Sequence, residues 1–133
     1  MRRDLAALHA YLAAGADVPF AWGSNDCVTF AAGAVAAQTG LNPLAKLSRR
    51  WSTQRGALLL LRRYGGLEAA VSTVLTPVAP ALAHRGDIAG VRAEAGEMVL
   101  MVIEGALLVG PDANGVRRLP RELMTVAWSA ICP

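Results

Sequence analysis

The order of apolar and polar positions divides the chain into a helical first half and an extended second half. Leu5, Leu8 and Leu12 recur at helical spacing and predict a short amphipathic helix from about Arg3 to Ala14, within residues 1–16, closed by Gly15. Ser24, Asn25 and Asp26 are all residues suited to capping a helix start. The run that follows, Cys27 to Ala37, is apolar and small-sided on nearly every face, which predicts a helix buried nearly all round, stopped by Gly40. Residues 41–52 read as loop with a helical turn near Pro43. Thr53 to Tyr64 reads as a helix with Ala57, Leu58 and Leu61 on one face, and Gly65-Gly66 breaks it. Leu67 to Val74 is a further short helix, and Pro77, Pro80 and their alanines form a connector.

From His84 onward the period changes. Ile88 to Val91, Met98 to Ile103 and Ala106 to Val109 are short apolar runs, read as strands, with Glu104-Gly105 as a two-residue hairpin turn. Asp112 to Gly115 is another turn signal. Val116 to Leu119 is a strand, Pro120 to Met124 a helical turn and Val126 to Ile131 a last strand. Helices first and strands after predict an α+β fold with a small antiparallel sheet. No repeat or linker divides the 133 residues, so residues 1–133 are read as a single domain.

Composition narrows the function classes. Hydrophobic residues make up 54% and charged residues 17%, a balance that favours a packed core over disorder. The net charge of +3 comes from scattered arginines, with no basic run of the kind a nucleic-acid arm carries. The start, with Asp4 and His9 interrupting its apolar residues, does not read as a signal peptide. No stretch approaches the roughly 18 apolar residues of a membrane span. A soluble protein made in the cytoplasm is expected, with no nucleic-acid partner. Two cysteines, Cys27 and Cys132, give neither a disulfide framework nor zinc-ligand spacing, and no cofactor is implied. A Cys27–Cys132 bridge would close nearly the whole chain.

The candidate chemistry centres on Pro19-Phe20-Ala21-Trp22-Gly23-Ser24-Asn25-Asp26-Cys27. A cysteine in the first turn of a helix sits among unpaired N–H groups, an arrangement expected to lower a thiol's pKa. The same cysteine also reads as a packing residue of an alanine-rich helix. Asp26 reads as a helix cap, and Trp22, Trp51 and Trp128 as core, groove or interface anchors. The order of motifs is informative: Phe-Ala-Trp-Gly before Asp26-Cys27, Thr39-Gly40, Arg50-Trp51-Ser52-Thr53, Gly56-Ala57, Gly65-Gly66, Arg85-Gly86-Asp87 and Ala127-Trp128. Over about residues 19–128 this pattern resembles the NlpC-type papain-fold cysteine peptidases, and more narrowly a group of such proteins from phage, prophage and gene-transfer-agent tail clusters.

That resemblance implies a papain-like fold with the cysteine helix on a small sheet, and Cys27 as the candidate nucleophile. It also exposes a gap. The strand after Gly86-Asp87 should open with a histidine base, and Glu97 or Met98 stands there. The chain's two histidines lie elsewhere: His84, a weak candidate base, precedes Gly86-Asp87, and His9 is in the first helix. The function expected is a structural or assembly component of a phage-type tail tip, a pseudo-peptidase located in the virion tail and held by other tail-tip or hub proteins. The alternative is an active cell-wall peptidase or amidase that cuts peptidoglycan during DNA passage. The mean hydropathy of +0.38 suggests apolar surface left for partners. The first helix, through Leu5, Leu8 and Leu12, and the loop carrying Trp51 are the surfaces expected to meet them.

Overall fold

The computed structural model describes residues 2–46 and 50–131. Four helices, α1 (Leu5–Ala14), α2 (Cys27–Thr39), α3 (Gln54–Arg62) and α4 (Leu67–Ser72), precede β1 (Thr76–Val78), β2 (Ile88–Arg92), β3 (Met98–Glu104), β4 (Leu107–Asp112), β5 (Gly115–Pro120) and β6 (Met124–Ser129). Single 3-10 turns lie at Pro43–Lys46, Pro80–Leu82 and Arg121–Leu123. The fold is α+β, as the pattern predicts. The connector around Pro77 is different: it holds the edge strand β1, paired with β6. Proline is tolerated there because an edge strand has one side without a ladder. The β3–β4 turn is also one residue later than the sequence suggests. Glu104 pairs with Leu107, leaving Gly105-Ala106 as the turn.

The six strands form one antiparallel sheet in the order β1-β6-β2-β3-β4-β5. Only Arg121–Leu123 separates β5 from β6, which stand four places apart. A flat sheet would put them about 19 Å apart, while the four Cα steps from Pro120 to Met124 reach at most about 14 Å. The sheet must therefore roll. Arg121 holds the rolled end, donating from its guanidinium to the carbonyls of Pro80 and Ala83 and from its backbone N–H to Ala106.

Rolling gives both faces of the sheet an apolar environment. Inside lie Ala89, Val91, Met101, Ile103, Leu108 and Ala127, with Val78 and Leu119 from the two edge strands packed against them. Outside, Ile88, Leu100, Val102, Val109 and Trp128 pack under α1, α2 and α4. This explains why the strands read as continuous apolar runs rather than as an alternation. No residue of α2 is exposed, and its Phe30, Ala31, Ala34 and Val35 enter the core. Leu8 and Leu12 of α1 are also core residues, contrary to the expectation that this helix keeps its leucine stripe for a partner; only Leu5 stays out, 43% exposed. The helix that buries nothing is α3.

Two polar anchors tie the layers together. Asp87, buried, accepts from the backbone N–H groups of His84 and Ala130 and pairs with Arg3 at 2.9 Å. Gln38, also buried, donates to the carbonyls of Ala34 and Gly86. Its Oε1 has no hydrogen-bond partner and faces the Cα of Gly86, a position suited to a weak C–H···O contact.

Candidate functional site

The site is built from the start of α2, the loop before it and the gap between two strands. Asp26 caps α2: its side chain accepts from Thr29 N–H at 2.9 Å, and Thr29 Oγ1 accepts from Asp26 N–H in return. The same carboxylate accepts from Gly23 N–H at 2.8 Å and from the Trp51 indole Nε1–H at 2.6 Å. One buried carboxylate thus fixes the helix start, the preceding turn and the loop that leads to α3. Gly23 adopts φ +84°, and a Cβ there would run into the backbone carbonyl of Trp51. Glycine is required at this point both by conformation and by close approach. Trp51 is therefore an internal brace rather than a free anchor. Trp22 remains 40% exposed, edge-on against Phe20 with ring centroids 4.8 Å apart.

Cys27 follows directly, at the first position of α2. The Leu100 amide of β3 and the first amides of the helix favour the Cys27 thiolate. Burial outweighs them and pushes the Cys27 thiol up from its ordinary value, and the neighbouring Asp26 carboxylate adds to that rise. This corrects the expectation of a lowered pKa: the helix-terminal effect is present but smaller than the cost of desolvating a thiolate. Cys27 is a free thiol, and Cys132 lies outside the described residues.

Beside Cys27 the sheet opens. β3 pairs with β2 from Met98 to Val102 but with β4 only from Val102 to Glu104. β4 stays with β5 as far as Asp112. The two strands diverge past Val102 and Val109, and a cleft of about 870 Å³ lies there, bounded by α2, α3, α4 and the diverging strands. Val28, Leu61, Leu67, Val71, Val74 and Leu100 line it, as do the exposed residues Glu97, Asp112 and Arg117. Cys27, Asp26, Trp22, Trp51, Glu97 and Met98 all line it. Nothing in the local pattern of β3 or β4 signals the divergence; Pro111, which cannot donate to a ladder, is the one residue that hints at it.

His84 is not part of this constellation. It is exposed, in the turn before β2. That turn is bound to the other end of α2, since Gly86 accepts from Gln38. Cys27 and Gln38 are separated along the helix by roughly 16 Å. His9 is exposed on α1 and also absent from the cleft lining. At the place where a catalytic imidazole is expected, Met98 presents a thioether and Glu97 an exposed carboxylate.

The model of one protein family, a domain of unknown function (DUF6950), matches residues 1–130. The chain belongs to that family. The match spans every helix and strand, so the cleft and its capping carboxylate fall wholly inside the family's domain. Among curated proteins none matches the chain. Among the described residues of this DUF6950 domain, no helix is long and apolar enough to cross a membrane.

Proposed function

We propose that this DUF6950 domain is a non-catalytic structural or assembly component of a phage-type tail tip, built on a degenerate papain-like peptidase fold. One observation carries the non-catalytic half: neither His9 nor His84 lines the cleft that holds Cys27, and burial pushes the Cys27 thiol up rather than down. A thiol nucleophile needs a partner base such as an imidazole, or a lowered pKa, and among the described residues Cys27 has neither in its cleft. The tail-tip half is supported by the ordered pattern from Phe20-Ala21-Trp22-Gly23 through Asp26-Cys27 and Gly86-Asp87 to Trp128, which resembles the tail-cluster group of NlpC-type proteins.

The partners in this reading are other tail-tip or hub proteins. Their footprint moves away from α1, whose Leu8 and Leu12 are core residues. It falls on surfaces that expose leucine: Leu58 and Leu59 on α3, at 54% and 50%, and Leu82 at 72%. Quantitative mass spectrometry of purified tail particles tests the assignment, beside light scattering of the isolated chain. The domain is expected in particles at a fixed ratio to the other tail proteins. Its absence from particles, with a stable monomer in solution, would overturn the assignment.

A further inference from the structure

We propose that the cleft beside Cys27 binds an extended apolar peptide segment of a partner chain, added as a strand to the free edge of β3. The ladder defines that edge. Ile103 N–H donates to the Asp87 carbonyl, and the Glu97 carbonyl accepts from Ala93 N–H. The backbone groups of successive strand residues point to alternate sides. Residues 97, 99, 101 and 103 therefore use theirs on the β2 side, and Met98, Leu100, Val102 and Glu104 point theirs toward β4. β4 meets only the last two, at Val109 and Leu107. The same register would set Leu100 against Pro111, which has no N–H to give, and Met98 against Ala113, which lies in the turn after β4. β4 therefore does not complete this edge. The Leu100 amide favours the Cys27 thiolate. The Leu100 carbonyl and the N–H and C=O of Met98 remain without a strand partner on that side, and both residues line the cleft.

Two requirements together select the occupant. The free backbone groups call for donors and acceptors at strand spacing, which a hydrocarbon chain lacks. The lining residues Val28, Leu61, Val71 and Val74 call for apolar groups, which a sugar does not bring. An extended peptide with apolar side chains meets both, its backbone pairing with Met98 and Leu100 and its side chains lying against the cleft walls. Leu100 is 3% exposed, and a buried carbonyl without a partner carries a cost that the added strand removes. Gln54 and Tyr64, exposed and lining the same cleft, give the strand's other edge polar groups to meet. The proposal rests on the reading of this domain as a non-catalytic component held by other chains, and states how one such chain is held.

The test uses the whole chain and an acetylated, amidated peptide of sequence Lys-Leu-Val-Leu-Val-Lys, read by calorimetry and by amide hydrogen exchange. Saturable binding of one peptide per chain is expected, with a Kd on the order of 10–100 µM. The Met98 amide is expected to exchange quickly in the free chain and about tenfold or more slowly in the complex, while Val99 and Met101, bonded on the β2 side, stay slow throughout. The same peptide N-methylated at its four interior residues keeps its side chains but loses those backbone donors, and is expected to bind about tenfold or more weakly. Met98→Pro removes the free donor and no bond to β2, so it is expected to fold and to weaken binding of the unmethylated peptide. Leu82→Glu, outside the cleft, is expected to bind as the parent does. If Met98→Pro fails to fold, the N-methylated peptide decides. No saturable binding, equal affinity for the N-methylated peptide, or unchanged exchange at Met98 would each overturn the proposal, and any of these leaves the non-catalytic reading standing. Cleavage of peptidoglycan that depends on Cys27 would remove that reading and with it the assignment of the peptide as a stable partner rather than a substrate.

Discussion

Asp26 is the residue on which the site depends. Its carboxylate is buried and carries the α2 cap, the Gly23 turn and the Trp51 indole together. Asp26→Ala removes the cap and leaves two part-buried donors, Gly23 N–H and Trp51 Nε1–H, without their acceptor, so a loss of about 2–4 kcal/mol is expected in urea unfolding. Cys27 yields a pH prediction. Burial raises its pKa, so the folded state holds the thiol proton more tightly than the unfolded chain. Its stability contribution is intact below the ordinary thiol range, near pH 8.5, and is lost as pH rises beyond it. In a Cys132→Ser background, alkylation of Cys27 at neutral pH should be slower than that of a free cysteine and should accelerate only in more alkaline solution. Tyr11 acts the same way further up. Its hydroxyl donates to the Phe30 carbonyl, burial pushes its pKa up to about 12, and its contribution fades between about pH 10 and 12. The Asp26-Cys27 motif was legible in the sequence because capping is local. The Arg3–Asp87 pair was not, since its partners are joined only by the folded topology.

Among the elements, α2 follows directly from its composition: its residues are mostly small and apolar, and each is buried or half-buried. The roles of α1 and α3 are less apparent. Both show leucines at helical spacing, but packing partners are non-local. Leu8 is 1% exposed in the core, whereas Leu58 is 54% exposed. Leu8→Ala is therefore expected to cost about 2–4 kcal/mol, while Leu58→Ser should change stability by no more than about 0.5 kcal/mol. Parallel urea titrations of the two variants decide this, and similar losses in both would contradict the assignment of α1 to the core. The missed strand β1 has a comparable cause. Thr76-Pro77-Val78 carries no alternation to read, and it is a strand only because β6 offers an edge.

At the scale of the molecule, the α+β class and the position of the sheet could be read from the change of period near His84. The rolled sheet could not, because strand order is a property of long-range pairing: β6 comes back to lie between β1 and β2. The early parting of β3 and β4 opens the cleft, and Cys27 lies beside it without an imidazole. In the reading proposed above, no bond is cleaved in this cleft. Its most direct test is the release of soluble peptides from purified peptidoglycan, measured by mass spectrometry for the parent chain beside Cys27→Ser. No release above the protein-free control is predicted for either protein. Release by the parent that disappears in Cys27→Ser would contradict the account.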